Sequence, residues 1–231
     1  MAFLKPVEYT NTHRLIPTKY SNGSVLETLP LPAHTLAELS ELDAATNERK
    51  LAEHGGFAGI GLSELLYGVP EAHIVNAAFC HPGPHGSRFN DSRRGAWYAS
   101  VEIETSIAEV AFHKRRFLEE ARIAGKLTFD YVSFLADFYG EFHHLDETEA
   151  QTCLQPGPVP QCYAPSQALA LRLLYDGSAG IVYQSVRRSE GTCVACFRPA
   201  LVVHPRRDLG YRITLEAWKD TCSMEAYTLP S

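Results

Sequence analysis

Residues 86–114, GSRFNDSRRGAWYASVEIETSIAEVAFHK, constrain the chain more than any other stretch. They follow residues 81–86, HPGPHG, whose prolines and glycines break both helix and sheet ladders. The aromatic run 96–99, AWYA, then reads as a short strand. A helix is expected to open at Ser100 and run to about Ala121. Ile103, Ile107, Val110, Phe117, Leu118 and Ala121 recur at helical spacing as its apolar stripe. Lys114 interrupts that stripe and is expected to carry its head outward to water. Arg88, Tyr98 and Glu109 thus arrive about ten residues apart, with Glu109 off the apolar stripe.

The rest of the chain supplies strands in two groups with helices between them. Residues 9–20 read as a first strand or extended arm ended by Pro17. Residues 35–51 read as a helix capped by Thr35 and stopped by Gly55-Gly56, with a loop and short helix to Gly68. Residues 72–79, AHIVNAAF, read as a strand. Residues 126–144 alternate aromatic and polar side chains, as one or two strands do. Residues 166–175 form a short amphipathic helix after Pro165. Strands at 180–186, 192–203 and 211–218 follow. This pattern predicts an α+β fold and one domain over 1–231, with residues 35–68 as a helical segment.

Bulk properties exclude several classes. A formal net charge of -6 argues against a broad nucleic-acid or membrane-surface footprint. No apolar run has the length of a membrane helix, and MAFLKPVEYTNTHRL lacks a signal-peptide core, so the cytoplasm is the expected location. Cys193 and Cys196 form a lone CxxC in a strand, where positions three apart face opposite ways. They are expected to be reduced core residues. His81, His85, His143 and His144 form no spacing with defined ligand geometry, so no metal site is expected. A P-loop and a post-strand G-x-G-x-x-G are also absent.

Individually, the polar residues stay open to two readings. Glu109 is either a solvated helix carboxylate, paired with His113 one turn on, or a reactive group. Arg14, beside Leu15 and Ile16, is either an edge residue or a phosphate ligand. Arg88 sits in a glycine-containing loop suited to a bidentate grip on an anion, and Arg93 and Arg94 would deepen the positive potential there. Trp97 and Tyr98 must face opposite ways, one into the core and one to a surface or cleft. Ser185, at a strand end, is a turn cap or a ligand contact.

Seven pieces in order resemble the RES domain: 13–17 (HRLIP), 86–89 (GSRF), 95–99 (GAWYA), 104–109 (ETSIAE) with His113, 166–169 (SQAL), 180–187 (GIVYQSVR) and 193–199 (CVACFRP). Gln184 departs from the pattern, which has proline before the serine. The resemblance implies an ADP-ribosyltransferase-like fold, with NAD in a cleft between two small sheets. It implies a toxin of a RES–Xre toxin–antitoxin module that cleaves the nicotinamide–ribose bond by hydrolysis or phosphorolysis. NAD is then a substrate, phosphate a possible co-substrate, and no cofactor is required. Carried over, Arg14, Glu109 and Ser185 are the catalytic arginine, glutamate and serine, and Arg14, Arg88, Tyr98 and Ser185 bind NAD. The implied partner is an antitoxin of the Xre/MbcA type, which would make any DNA contact itself. Alternatives are mono-ADP-ribosyl transfer to a protein, a non-catalytic nucleotide- or partner-binding module, and metal-dependent hydrolysis.

Overall fold

The computed structural model describes residues 2–21, 59–216, 218–219 and 221–229. The helix expected over 35–51 lies outside these residues. Strands β1 (Phe3–Pro17), β2 (Trp97–Ser100), β3 (Lys126–His144), β4 (Gly180–Gln184), β5 (Thr192–Cys196), β6 (Val203–Glu216) and β7 (Cys222–Tyr227) form one sheet. Helices α1 (Ala72–Cys80), α2 (Ile103–Glu120), α3 (Glu147–Cys153) and α4 (Ala164–Tyr175) flank it.

The strand order is β1-β2-β5-β4-β3-β6-β7, and β1 also pairs with β3, closing β1, β2, β5, β4 and β3 into a ring. The two small sheets implied by the resemblance are two lobes of this network. One holds β1, β3, β6 and β7, and the other β2, β5 and β4. They meet through thin seams: His13 opposite Ser100, and His143 and His144 opposite Ile181 and Val182. A sheet joined so narrowly opens a cleft where the lobes diverge.

Strand β3 is the spine. Its period of two sends Val132, Phe134, Ala136 and Phe138 into the main core and Phe129 and Tyr131 into a second cluster with Ile213 and Leu215. The register shifts once against β1 and twice against β6. Asp137, 6% exposed, pins these irregularities together. It accepts hydrogen bonds from Asn11 N (2.8 Å) and His204 Nδ1 (3.0 Å), both residues having left-handed backbone.

Residues 72–80 are a helix, not the expected strand. An apolar run this short does not separate the two by periodicity, and its alanines favour helix. The helix also lets buried Asn76 clamp the backbone of Leu66 at both N and O, each at 2.9 Å. The strand expected over 192–203 ends at Cys196, because Pro199 opens a 3-10 turn, Pro199–Leu201, before β6. The strand expected over 211–218 is the second half of the longer β6, and β7 follows it.

On α2 the buried face is Thr105, Ser106, Ile107, Ala111 and Leu118, with Ile103 and Val110 partly buried against it. Phe117, placed on the stripe from sequence, is 55% exposed. Lys114 does not turn outward; its Nζ lies 5.0 Å from the Phe129 ring centre. Trp97 is fully buried in the core, as the alternation of β2 requires of one of the pair.

Candidate active site

The two lobes and α2 enclose a cleft of about 350 Å³. Arg14 and His13 reach it from β1, Arg88 from the loop before β2, Tyr98 from β2, and Glu109 and His113 from α2. Tyr131, Tyr163 and Tyr183 add aromatic surface. Among the described lining residues Glu109 is the one carboxylate, set against Arg14, Arg88 and Lys114. The cleft is therefore a local cationic site in an acidic chain.

Several of these polar side chains are held from outside the cleft. Ser106 Oγ on α2 donates to the His13 carbonyl at 2.8 Å, fixing the helix on β1. Arg14 Nη1 donates to the Tyr98 carbonyl at 3.1 Å, and its guanidinium stacks 4.9 Å from the Trp97 ring centre. Its Nε is shielded from water and has no partner among the described residues. This desolvation lowers the Arg14 pKa to about 10, which leaves it charged at neutral pH. Arg88 is 7% exposed, donates to the Cys153 carbonyl at 2.7 Å and stacks 5.0 Å from the Tyr163 ring centre. Its loop is closed by Ser87 N donating to the Asn90 carbonyl (2.9 Å). Gln167 Nε2 on α4 lies within 3.0 Å of three carbonyls of the same loop. The Tyr98 hydroxyl donates to Asn90 Oδ1 at 2.8 Å and accepts from Phe89 N at 2.9 Å; burial keeps it protonated against the opposing pull of the Phe89 amide.

Ser185 follows β4 directly. Its Oγ accepts from the backbone N–H groups of Arg187 (3.1 Å) and Arg188 (3.2 Å) and donates to Glu109 Oε1 at 2.7 Å. The two amides leave the hydroxyl proton for the carboxylate, as in a serine turn. One oxygen of Glu109 is thus fixed by a residue 76 positions away. Its Oε2 takes no hydrogen bond from the described residues. Arg187 packs its guanidinium 3.3 Å from the Phe112 ring centre on the same helix, behind the pair. Such an arrangement presents a half-buried carboxylate with one committed and one open oxygen. That suits the stabilisation of developing positive charge or the holding of a hydroxyl.

Arg14, Arg88, Tyr98 and Glu109 line the cleft together. Ser185 reaches it through Glu109. Glu109 makes no ion pair with His113. Arg93 and Arg94 do not contribute: Arg93 pairs with Asp91 at 2.6 Å and Arg94 with Glu64 at 2.8 Å, along a smaller, separate cavity. Cys193 lines the cleft while Cys196 enters the core, so the CxxC faces two ways; no disulfide joins the described cysteines. Among the described residues no cluster of three or more His, Cys, Asp or Glu is placed to hold a metal ion, and no helix is long and apolar enough to cross a membrane.

A model of the RES domain matches residues 65–216. The chain belongs to the RES domain family. The RES match contains Arg88, Tyr98, Glu109 and Ser185, and β1 with Arg14 lies before it. Among solved structures the chain is similar to one in the crystal structure of the M. tuberculosis MbcT–MbcA toxin–antitoxin complex. Identity is 9% and the TM-score 0.41, over 89% of this chain and 85% of that one. No curated protein matches it.

Sequence reasoning passed over His13, Tyr131, Tyr163 and Tyr183 as lining residues of this RES cleft. Tyr131 and Tyr183 sit in ordinary alternating strands, where nothing marks the cleft-facing side. Burial lowers the pKa of His13, His113, His143 and His144 from an ordinary value of 6.5, so the folded chain resists protonating them. The unfolded chain takes up those protons as pH falls through about 6.5, whereas the folded chain refuses them until lower pH. This contribution to stability is complete above about pH 6.5 and is lost progressively below it. Thermal melting is therefore expected to occur at lower temperature at pH 5 than at pH 7.5; equal or higher melting at pH 5 would contradict this.

Proposed function

We propose that this chain consumes NAD by breaking the bond between nicotinamide and ribose, as the toxin of a toxin–antitoxin module acting in the cytoplasm. The hydrogen bond from Ser185 to Glu109 carries the reading. It joins the glutamate and serine of the RES pattern at the wall of a cleft that also holds Arg14, Arg88 and Tyr98.

Nicotinamide departs as a neutral molecule, taking the C–N bonding pair, so the reaction needs no strong acid. The ribose carbon passes through an oxocarbenium-like state. In this reading the Glu109 carboxylate stabilises that charge, and its open Oε2 accepts from the ribose 2′-hydroxyl. Ser185 keeps the carboxylate oriented. Arg14 and Arg88 supply fixed positive charge for the diphosphate, and the tyrosine faces suit the flat rings. The new C–O bond comes from water or phosphate, whose proton passes to solvent. An antitoxin of the Xre/MbcA type that covers the cleft would restrain the activity.

Products identify the acceptor. The purified chain is incubated with NAD, with and without inorganic phosphate and with EDTA, and products are resolved by mass. Free ADP-ribose without phosphate dependence indicates hydrolysis, and a phosphorylated ADP-ribose indicates phosphorolysis. We expect release to persist in EDTA. Loss of release in EDTA would move the chemistry to a metal, and ADP-ribose found only on protein would move it to transfer.

A further inference from the structure

His113 is a polar cleft residue to which the reading above gives no task. It lies four residues after Glu109 on α2, so the two side chains share one helix face, about 5–6 Å apart at Cβ, and both line the cleft. Neither ring nitrogen has a hydrogen-bond partner among the described residues; the Phe112 ring lies edge-on at 5.3 Å.

Several other polar groups of the cleft are committed or of the wrong kind, and the hydroxyls of Tyr131, Tyr163 and Tyr183, which also line it, are not on α2 beside Glu109. Ser106 Oγ serves the His13 carbonyl, and the Tyr98 hydroxyl is spent between Asn90 and Phe89. Arg14, Arg88 and Lys114 donate and cannot accept. Crowding by the cleft walls, then the charges of Arg187, Arg116 and Arg88, lower the His113 pKa, so the imidazole is neutral at pH 7. His113 is an exposed residue, so its ring is accessible to a ligand. A neutral imidazole offers one donor and one acceptor, the pairing a sugar hydroxyl uses.

We infer that His113 is a second ribose contact, hydrogen-bonding the 3′-hydroxyl of the nicotinamide ribose beside the 2′-hydroxyl taken by Glu109. This rests on the NAD-cleaving reading above. Vicinal hydroxyls lie closer together than the two Cβ atoms, and both side chains are long enough to converge on them. The pair then selects a sugar with both hydroxyls free, and discriminates against riboses reduced or substituted at either position.

The test compares kcat/KM for NAD and for an analogue lacking that 3′-hydroxyl, in wild type, His113→Ala and His113→Asn. Losing one uncharged hydrogen bond costs roughly three- to tenfold. Wild type is therefore expected to prefer NAD by about that factor, His113→Ala to lose the preference by falling on NAD alone, and His113→Asn, which keeps a donor and an acceptor, to recover part of it. A packing role would lower both substrates equally and leave the ratio unchanged, which would overturn the inference while leaving NAD cleavage intact. Melting curves verify that each variant folds; should His113→Ala not fold, His113→Asn against His113→Leu gives the same comparison. An absence of nicotinamide release by wild type would remove the inference together with the reading beneath it.

Discussion

Glu109→Gln is expected to lower nicotinamide release by about 10²–10³-fold, the usual cost of removing a preorganised charge aimed at a transition state. Glutamine is nearly isosteric, and its carbonyl oxygen still accepts the Ser185 hydroxyl at the position of Oε1. The substitution removes the charge and keeps the architecture, so melting should change little and the loss should fall on kcat rather than KM. Ser185→Ala provides the contrast. It keeps the charge but frees the carboxylate to rotate and leaves the amides of Arg187 and Arg188 without their acceptor. A Glu109→Gln variant with full activity would place the chemistry on another residue.

Gly86→Ala is expected to destabilise the chain by about 3–5 kcal/mol, in the range reserved for steric or strained-backbone failures. Gly86 has φ +67°, and an added Cβ would lie 2.1 Å from the Asn90 carbonyl oxygen and 2.6 Å from the Asp91 carbonyl carbon. These are backbone atoms of the turn that carries Arg88, so relief requires opening the turn. Gly177→Ala is the control. Its φ is +87° but nothing lies within 4 Å of an added Cβ, so it should cost only the left-handed penalty of about 1–2 kcal/mol. Chemical denaturation of both variants measures the difference. Equal losses would show that the loop yields and that the crowding at Gly86 contributes nothing.

The legibility of the fold followed the strength of local signals. The long alternation of β3 and the helical stripe leading into α2 were readable, because hydrophobic period is itself the physical cause of those elements. Residues 72–80 were not, since a mainly apolar run of nine residues satisfies either period and Asn76 decides the matter through a contact with Leu66. Lys114 and Phe117 exchanged their expected roles on α2 because Phe129, from β3, offers the lysine a ring to lie on.

At the site, the spacing of Arg88, Tyr98 and Glu109 alone could not separate a reactive carboxylate from a solvated one. What separates them is the serine 76 residues away whose hydroxyl bonds it, a contact created by the closing of β4 against β5 and carried in sequence only by the combined RES pattern. Arg93 and Arg94 show the reverse case: a basic cluster in sequence whose charges are absorbed by Asp91 and Glu64. His113 was visible as part of a motif, but its free ring nitrogens follow from the packing of α2 along the cleft.

The proposed role of Glu109, held by Ser185, is to drive cleavage of the nicotinamide–ribose bond. A time course of free nicotinamide from NAD, with the purified wild-type chain and with Glu109→Gln in parallel and with phosphate both present and absent, tests it most directly. Steady release by wild type in at least one of the two conditions and near-background release by the variant are expected; no release by wild type in either, or equal release by both proteins, would contradict that role.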